Sequence, residues 1–384
     1  MTQRQTALLL LCLMLGLARS PRAEAKNSLA PAAGWRLRLA VDRVAGSSAG
    51  AAAIPGLCKD TGRAWPQSER GPVTLDLALP EARKSALLLV VSIDAATDED
   101  VSLRLSGSRK PGKGLKVLDE RMVAVRSSKS VRGPRLAHLT FPKGASRVAR
   151  LQLVQEADGP SPKIARLRVY RLDKKGRNDY WLFLGASLTV GGTKPDTFAE
   201  ELRRQHPGCD PYVANEAISG WSSRHVLAAL PAFLKEHRHA RYVAIHIGGN
   251  NVSAARPYPG GADRLGRELE QILRQIREAG KLPILARLTY RAYKAKGKKP
   301  GVPPEANGSG PYVKKLYDPL IRKHCPDFYD ADEARGTVDL YGYFKGHSEE
   351  IGGDGIHLRG AGYASWRRLW AQLAGGRIYR GKPR

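Results

Sequence analysis

Apolar and polar residues alternate in short bursts over the first half of the chain. The clearest bursts cover residues 73–77, 101–105, 151–153 and 165–169. Alternation with a period of two is the signature of a β-strand. Clusters of Gly, Pro, Ser and Lys separate the bursts, and no long helical stripe occurs among them. The pattern predicts an all-β sandwich, jelly-roll-like, over residues 26–175.

After Tyr180 the pattern changes to apolar runs separated by helical stripes, which is typical of a parallel sheet covered by helices. The clearest helix carries Leu265, Leu269, Ile272 and Ile276, whose spacing puts them on one face. Two further helices are predicted, over residues 312–324 and 363–373. The predicted strands are Tyr180–Leu184, Pro211–Ala214, Arg241–Ile247, Leu282–Leu288 and Phe328–Asp330. These elements predict an α/β domain over residues 176–384.

An apolar run, Ala7 to Ala18, lies near the start of the chain. It follows Arg4 and precedes the small-x-small triplet Ala23-Glu24-Ala25. A membrane-spanning helix needs about 20 apolar residues, so this run is too short to be one. Its length and flanks are those of a secretory signal peptide. Residues 1–25 are therefore predicted to be removed, which leaves a secreted or periplasmic protein without a transmembrane segment.

The chain of 384 residues has a formal net charge of +28 at pH 7. A charge of this size bears on partners more than on fold. An exported protein meets anionic envelope polymers, so such a polymer is a candidate partner for the basic surface and nucleic acid is not expected. The densest basic loop, Arg291 to Lys299, also carries Tyr290 and Tyr293. Its ordinary interpretation is a solvated lysine loop, and its alternative is a surface that grips an acidic glycan.

Cysteines and histidines give no support for a metal site. Cys58, Cys209 and Cys325 lie outside any CxxC pair, and the histidines form no HExxH pattern. Zinc sites in proteins are built from such spacings. We therefore expect neither a metal nor another cofactor.

Candidate catalytic residues lie in the turns where strands of the α/β domain end, which is where parallel sheets bind ligands. Ser187 follows the first strand, Gly220 the second, and Asn250 the third. Asp354 and His357 stand three apart before the last helix. Each of these features alone is more often a turn or a cap, but together they supply a nucleophile, a base with its carboxylate, and amide donors.

The order and spacing of these blocks resemble the SGNH, or GDSL-like, hydrolase superfamily over about residues 180–373. The resemblance implies a three-layer α/β/α, flavodoxin-like fold with sheet order 2-1-3-4-5. It also implies that Ser187 is the nucleophile, His357 the general base and Asp354 the orienting carboxylate. The oxyanion hole would be formed by Ser187, Gly220 and Asn250. The sequence departs from the family pattern in two places, with Gly-Ala-Ser for Gly-Asp-Ser and Asn-Asn for Asn-Asp.

The implied sheet order places Cys209 and Cys325 before strands at opposite edges. Four strand spacings separate those edges by about 19 Å, whereas a disulfide requires Cα atoms within about 7 Å. The two cysteines are therefore predicted not to be bonded to each other.

The resemblance implies a hydrolase of ester bonds. For an exported member with a β-sandwich ahead of the catalytic domain, it implies a carbohydrate esterase that removes O-acetyl groups from a polysaccharide. Its substrate would be an acylated polysaccharide or a small acylated molecule. Three alternatives stay open: an O-acetyltransferase with the same site, a lipase, lysophospholipase or thioesterase, and a non-enzymatic binder of anionic envelope polymer.

Overall fold

A computed structural model describes residues 36–40, 73–78, 86–94, 101–107, 116–123, 135–141, 143, 148–155, 163–172, 178–209, 211–252, 261–291 and 310–380. The predicted signal peptide, Cys58 and residues 292–299 of the basic loop lie outside the described residues. The described residues divide into two compact units, one ending at residue 172 and the other starting at residue 178.

The first unit consists of strands. They are β1 (Arg36–Ala40), β2 (Val73–Ala78), β3 (Leu87–Asp94), β4 (Val101–Gly107), β5 (Lys116–Val123), β6 (Arg135–Phe141), β7 (Val148–Gln155) and β8 (Lys163–Arg171). One sheet has the order β1-β2-β7-β4-β5 and the other β6-β3-β8. All neighbours are antiparallel except β1 and β2. The order 2-7-4-5 in one sheet and 6-3-8 in the other is that of a jelly roll.

Residues of both sheets form the core of this unit. Leu103 and Leu105 of β4 and Leu89 of β3 have no solvent exposure. Phe141 of β6 is equally buried and reaches across to β4, where a Cβ on Gly107 would lie 2.9 Å from its ring. At Leu103 and Leu105 the period-two pattern of the sequence therefore marks residues that face a core shared by the two sheets, as expected of a sandwich.

The second unit is built on a parallel sheet. Its strands are β9 (Tyr180–Gly185), β10 (Tyr212–Asn215), β11 (Tyr242–His246) and β12 (Leu282–Leu285), in the order β10-β9-β11-β12. All three pairings are parallel. The predicted α/β fold class is confirmed, and these strands follow the first four places of the predicted order.

Helices cover both faces of this sheet. The connecting helices are α1 (Ser187–Gly192), α2 (Pro195–Gln205), α3 (Ser223–Glu236) and α4 (Gly261–Glu278). The chain moves from β9 to β10 on one side and then back across β9 to β11 and β12 on the other. Because the crossovers are right-handed, α1 and α2 lie on one face of the sheet, and α3 and α4 on the other. The four residues predicted to share one face of α4, from Leu265 to Ile276, are all fully buried.

An aromatic cluster holds α2 and the last long helix against β9. Phe183 of β9 lies 4.9 Å from Phe198 and 5.2 Å from Trp370 between ring centroids, and Trp181 lies 5.7 Å from Phe198. These rings are fully buried. Burying aromatic side chains stabilises this layer and fixes the strand that carries Ser187 at its end.

The C-terminal part of the unit is more irregular than predicted. Its elements are α5 (Gly310–Tyr312), a π-helical turn (Val313–Tyr317), α6 (Asp318–His324), a 3₁₀ turn (Pro326–Phe328), β13 (Tyr329–Asp330), β14 (Arg335–Gly336), α7 (Leu340–Gly346), a second 3₁₀ turn (Ser348–Glu350), α8 (Gly360–Trp370), a second π-helical turn (Ala371–Gly375) and α9 (Gly376–Tyr379). The predicted helix over 312–324 is thus divided by its π-helical turn.

The predicted fifth strand, Phe328–Asp330, is wrong as a member of the parallel sheet. In the described part of the chain that sheet has four strands, and Tyr329–Asp330 pairs antiparallel with Arg335–Gly336 instead. The 3₁₀ turn that starts at Pro326 leaves too few extended residues for a parallel pairing.

Cys209 and Cys325 are not bonded to each other, as predicted. Within the described ranges, no helix is long and apolar enough to cross a membrane.

Candidate active site

Ser187 is the first residue of α1, two positions after β9 ends at Gly185. Gly185 lies where the backbone is tightly packed. A Cβ on this residue would lie 2.1 Å from Thr189 Oγ1 and 2.6 Å from the His246 carbonyl oxygen. Only glycine fits between β9 and β11 at this point, so the turn that presents Ser187 depends on it.

Asp354 and His357 share one tight turn before α8. One carboxylate oxygen, Asp354 Oδ1, accepts hydrogen bonds from the backbone N–H groups of Ile356 and His357, each at 2.9 Å. The other, Oδ2, accepts from His357 Nδ1 at 2.6 Å. Partial burial acts to raise the pKa of the Asp354 carboxyl, but the hydrogen bonds from the His357 ring and the two amides outweigh it and lower the pKa. The carboxylate is therefore ionised and fixed.

The second ring nitrogen of His357 meets Ser187. His357 Nε2 lies 2.9 Å from Ser187 Oγ. Because Nδ1 donates its proton to the carboxylate, Nε2 of the neutral ring accepts from the serine hydroxyl. The His357 side chain is 46 % exposed, so it is open to water and to substrate. An Asp-His-Ser chain of this geometry can activate a serine as a nucleophile.

Asn250 and Gly220 lie close to this serine, since both line the same cavity as Ser187 and His357. Asn250 Nδ2 donates to the carbonyl oxygen of Trp221 at 2.7 Å, which fixes the side-chain amide and leaves its second N–H for another acceptor. Gly220 has a φ of +83° and is exposed, so its backbone takes a conformation that a larger residue disfavours.

Asn251, which departs from the family pattern, supports helix α3. Its side chain is buried, its Oδ1 accepts from the Ser223 backbone N–H at 3.1 Å, and its Nδ2 donates to Ser223 Oγ at 2.8 Å. An amide can do both, whereas an aspartate could only accept. These two hydrogen bonds explain why asparagine suits this position.

The cavity has a volume of about 330 Å³, within the range of small-molecule sites. Four of the five predicted site residues line it, namely Ser187, Gly220, Asn250 and His357, and the fifth, Asp354, bonds to His357. The structure thus brings together residues that are separated by up to 170 positions in the sequence.

The sequence analysis missed several residues of the cavity wall as site residues, among them His246, Thr289 and Arg291. We call these three the arginine wall. Arg291 is only 5 % exposed, although the sequence places it at the start of a basic loop. The signal that could have found it is its position just beyond the carboxyl end of β12.

A buried ion pair fixes the segment that leads to Arg291. The Arg287 guanidinium pairs with Asp318 at 3.3 Å and with Asp339 at 2.8 Å, and its backbone N–H donates to the Val338 carbonyl oxygen at 3.0 Å. All three side chains of the ion pair are nearly buried. The segment beyond β12 is therefore tied to α6 and to the start of α7.

Among the described residues, no group of three or more His, Cys, Asp or Glu side chains is placed to hold a metal ion.

Residues 183–365 match the GDSL-like Lipase/Acylhydrolase family. The chain is also 32 % identical over 116 residues to thioesterase 1/protease 1/lysophospholipase L1 of Escherichia coli (strain K12), a match covering 30 % of this chain and 53 % of that protein. The chain thus spans about half the length of the curated relatives it matches.

Solved structures are similar to about half of the chain. The crystal structure of TesA is 19 % identical with a TM-score of 0.39, covering 52 % of this chain and 99 % of that one. A catalytic mutant of Axe2, an acetylxylan esterase from Geobacillus stearothermophilus, is 17 % identical with a TM-score of 0.39, covering 51 % and 94 %.

The fold, the Ser-His-Asp arrangement and the family match define the class of this domain. The match of residues 183–365 to the GDSL-like Lipase/Acylhydrolase family confirms the resemblance to the SGNH, or GDSL-like, hydrolase superfamily seen in the sequence.

Proposed function

We propose that the chain is an exported serine esterase of the SGNH type that removes O-acetyl groups from a polysaccharide. The observation that carries this proposal is the continuous hydrogen-bond chain from Asp354 through His357 to Ser187, with distances of 2.6 and 2.9 Å. Ser187 and His357 line a cavity that Gly220 and Asn250 also line. Export rests on the predicted signal peptide.

In this mechanism Ser187 Oγ attacks the ester carbonyl carbon while His357 Nε2 takes its proton. His357 then gives that proton to the leaving sugar oxygen, and water repeats the sequence to release acetate. Asp354 holds the ring in the required tautomer and stabilises the imidazolium. The backbone N–H groups of Ser187 and Gly220 and the side-chain amide of Asn250 would stabilise the oxyanion.

The cavity favours a short acyl group and a polar alcohol. Its volume of about 330 Å³ is small, and its wall mixes polar side chains such as Thr289 and Arg291 with Leu188 and Ile356. A second function, cleavage of longer acyl chains, is favoured by the identity to the Escherichia coli thioesterase and lysophospholipase. Transfer of the acetyl group to a sugar hydroxyl would use the same residues.

The first prediction concerns hydrolysis of 4-nitrophenyl esters of increasing chain length by residues 26–384. We expect kcat/KM to be highest for the acetate and to fall steeply with chain length. Ser187→Ala should abolish turnover, because the covalent intermediate cannot form. The matched control is Ser219→Ala, since Ser219 lines the same cavity outside the hydrogen-bond chain and its variant should keep most of the activity.

Each outcome separates the candidate functions. Higher kcat/KM for long acyl chains would replace the deacetylase with a lysophospholipase-like or thioesterase-like enzyme. Turnover only after an acceptor sugar is added would identify a transferase. Full activity of Ser187→Ala would contradict the serine mechanism.

A further inference from the structure

Tyr317 packs against the start of the turn that carries Asn250. Its side chain has no solvent exposure. Its hydroxyl donates a hydrogen bond to the carbonyl oxygen of Ile247 at 2.6 Å, directly after β11 ends at His246. Tyr317 is the last residue of the first π-helical turn and lies 70 positions from Ile247 in the sequence. A residue outside the blocks that carry the sequence resemblance therefore contacts the backbone that leads to Asn250.

Gly248 leaves the space for this contact. Its φ is +116°, and a Cβ at this position would meet the Tyr317 hydroxyl. Both the backbone conformation and the space therefore favour glycine here. The Gly248 carbonyl oxygen accepts from the backbone N–H groups of Asn251 at 2.9 Å and Val252 at 3.1 Å, which closes the turn. The first glycine of the Gly-Gly-Asn-Asn sequence thus lets the hydroxyl reach the Ile247 carbonyl oxygen.

The other end of the turn is held by a separate contact. Asn250 Nδ2 donates to the carbonyl oxygen of Trp221 at 2.7 Å. Tyr317 therefore fixes the backbone where the turn begins, and the bond to Trp221 fixes the side chain near its end. Because the turn between Ile247 and Asn250 is short and closed, a shift of its start would move the Asn250 amide relative to Ser187.

Tyr317 is itself fixed by the residues around it in the chain. The next residue, Asp318, pairs with Arg287 at 3.3 Å and accepts from the Gly336 backbone N–H at 3.0 Å. The Asp318 backbone N–H donates to the Val313 carbonyl oxygen, which is the wider spacing of a π-helix, and such turns are frequent at functional sites. Burial raises the pKa of the Tyr317 hydroxyl above its ordinary value of 10. The hydroxyl therefore keeps its proton and stays a donor.

We propose that Tyr317 is a positioning residue of the oxyanion hole, which acts through the Ile247 carbonyl oxygen on the side-chain amide of Asn250. This inference rests on the proposed function, in which that amide stabilises the oxyanion. A donor helps only when it lies at hydrogen-bond distance from the oxygen that becomes negative in the transition state. A displacement of about 1 Å costs on the order of a hundredfold in rate. Tyr317 is not among the described residues that line the cavity, so it acts without touching the substrate.

The first test is Tyr317→Phe, which removes only the hydroxyl. With 4-nitrophenyl acetate we expect kcat to fall about tenfold or more and KM to change less than about threefold, because the lost stabilisation belongs to the transition state.

Tyr379→Phe is the matched control. The Tyr379 hydroxyl is also nearly buried, donates to Asp179 Oδ1 at 2.5 Å and accepts from Trp181 Nε1 at 3.1 Å. These bonds lie at the opposite end of β9 from Ser187. The control should therefore lose thermal stability, as Tyr317→Phe does, but keep the kcat of the wild type.

A double-mutant cycle with Asn250→Ala separates positioning from general damage. Asn250→Ala alone should lower kcat about a hundredfold. If Tyr317 acts through Asn250, adding Tyr317→Phe should lower kcat by less than about twofold further, since the amide is already absent. An equal loss from Tyr317→Phe in both backgrounds would overturn the proposal, and so would a wild-type kcat in the single variant.

A second measurement needs no turnover. The side-chain amide signals of Asn250 can be observed by NMR after isotope labelling of asparagine and assigned with Asn250→Ala. They should shift or broaden in Tyr317→Phe and stay unchanged in Tyr379→Phe. If they do so while the wild type hydrolyses no ester, the esterase proposal alone fails. Unchanged Asn250 signals in Tyr317→Phe would overturn the role of Tyr317 whatever the activity.

Discussion

Two histidines face the same cavity, and they differ in almost every property that matters for catalysis. His357 is half exposed, has Asp354 on one ring nitrogen and meets Ser187 with the other. His246 is 4 % exposed, and its Nδ1 has no hydrogen-bond partner among the described residues. Its Nε2 meets only the hydroxyl of Thr289.

This difference shows what makes an imidazole a base rather than a packing residue. A carboxylate beside His357 stabilises the protonated ring that forms when the serine gives up its proton. His246 instead lies beside Arg291 and away from water, and both features oppose its protonation. The neighbouring groups thus make His357 suited to act as a base, whereas they keep His246 uncharged.

The largest effect should come from removing the carboxylate that distinguishes His357. Asp354→Asn should lower kcat about a thousandfold or more, because an amide cannot stabilise the imidazolium and favours the wrong tautomer. Ester hydrolysis together with the thermal unfolding temperature checks this. Asp327→Asn, in an exposed 3₁₀ turn, is the control and should retain full activity. A loss smaller than about tenfold in Asp354→Asn would mean that His357 does not depend on this carboxylate.

A smaller effect is expected from a substitution at Gly185, where the end of β9 packs tightly against the His246 carbonyl oxygen. In Gly185→Ala the new methyl group would lie within 2.1 Å of Thr189 Oγ1 and 2.6 Å of the His246 carbonyl oxygen. Overpacking of this kind costs about 1–3 kcal/mol and should also move Ser187 away from His357.

Urea unfolding and kcat measure the two consequences of Gly185→Ala separately. Gly376→Ala is the matched control, because a Cβ on Gly376 meets nothing within 4 Å and the residue lies in a helix. That control should be neutral or slightly stabilising. Wild-type stability in Gly185→Ala would show that the β9–β11 contact is less tight than described.

The sequence predicts the His357 side of the cavity far better than the arginine wall. Ser187, Asp354 and His357 stand in family blocks at the ends of predicted elements, and such blocks can be read without coordinates. Arg291 stands beside a run of lysines, which suggested a solvated loop. Whether an arginine is buried depends on what packs against it, here the bare backbone of Gly249, and this contact joins residues far apart in the chain.

The same limit explains the error at the edge of the sheet. The periodicity of α4 and the apolar runs of β9 and β11 are long enough to fix their type. The predicted strand at Phe328–Asp330 spans three residues, and its pairing is decided by Arg335–Gly336 and by the turn at Pro326. Short segments take their structure from tertiary contacts, which local pattern does not record.

The last prediction tests whether His246 is the neutral histidine in this comparison. The pKa of His246 is lowered from 6.5 to about 4 in the fold, so between these pH values the unfolded chain binds more protons. Stability linked to His246 is therefore lost as the pH falls from 6.5 toward 4, by about 3 kcal/mol at most. In His246→Gln this part of the loss should disappear, as measured by urea unfolding at pH 7.5 and 4.5. His347→Gln, at an exposed histidine, should keep the wild-type difference between the two pH values. If His246→Gln and wild type lose equal stability on acidification, His246 is not held neutral, and burial beside Arg291 does not distinguish it from His357.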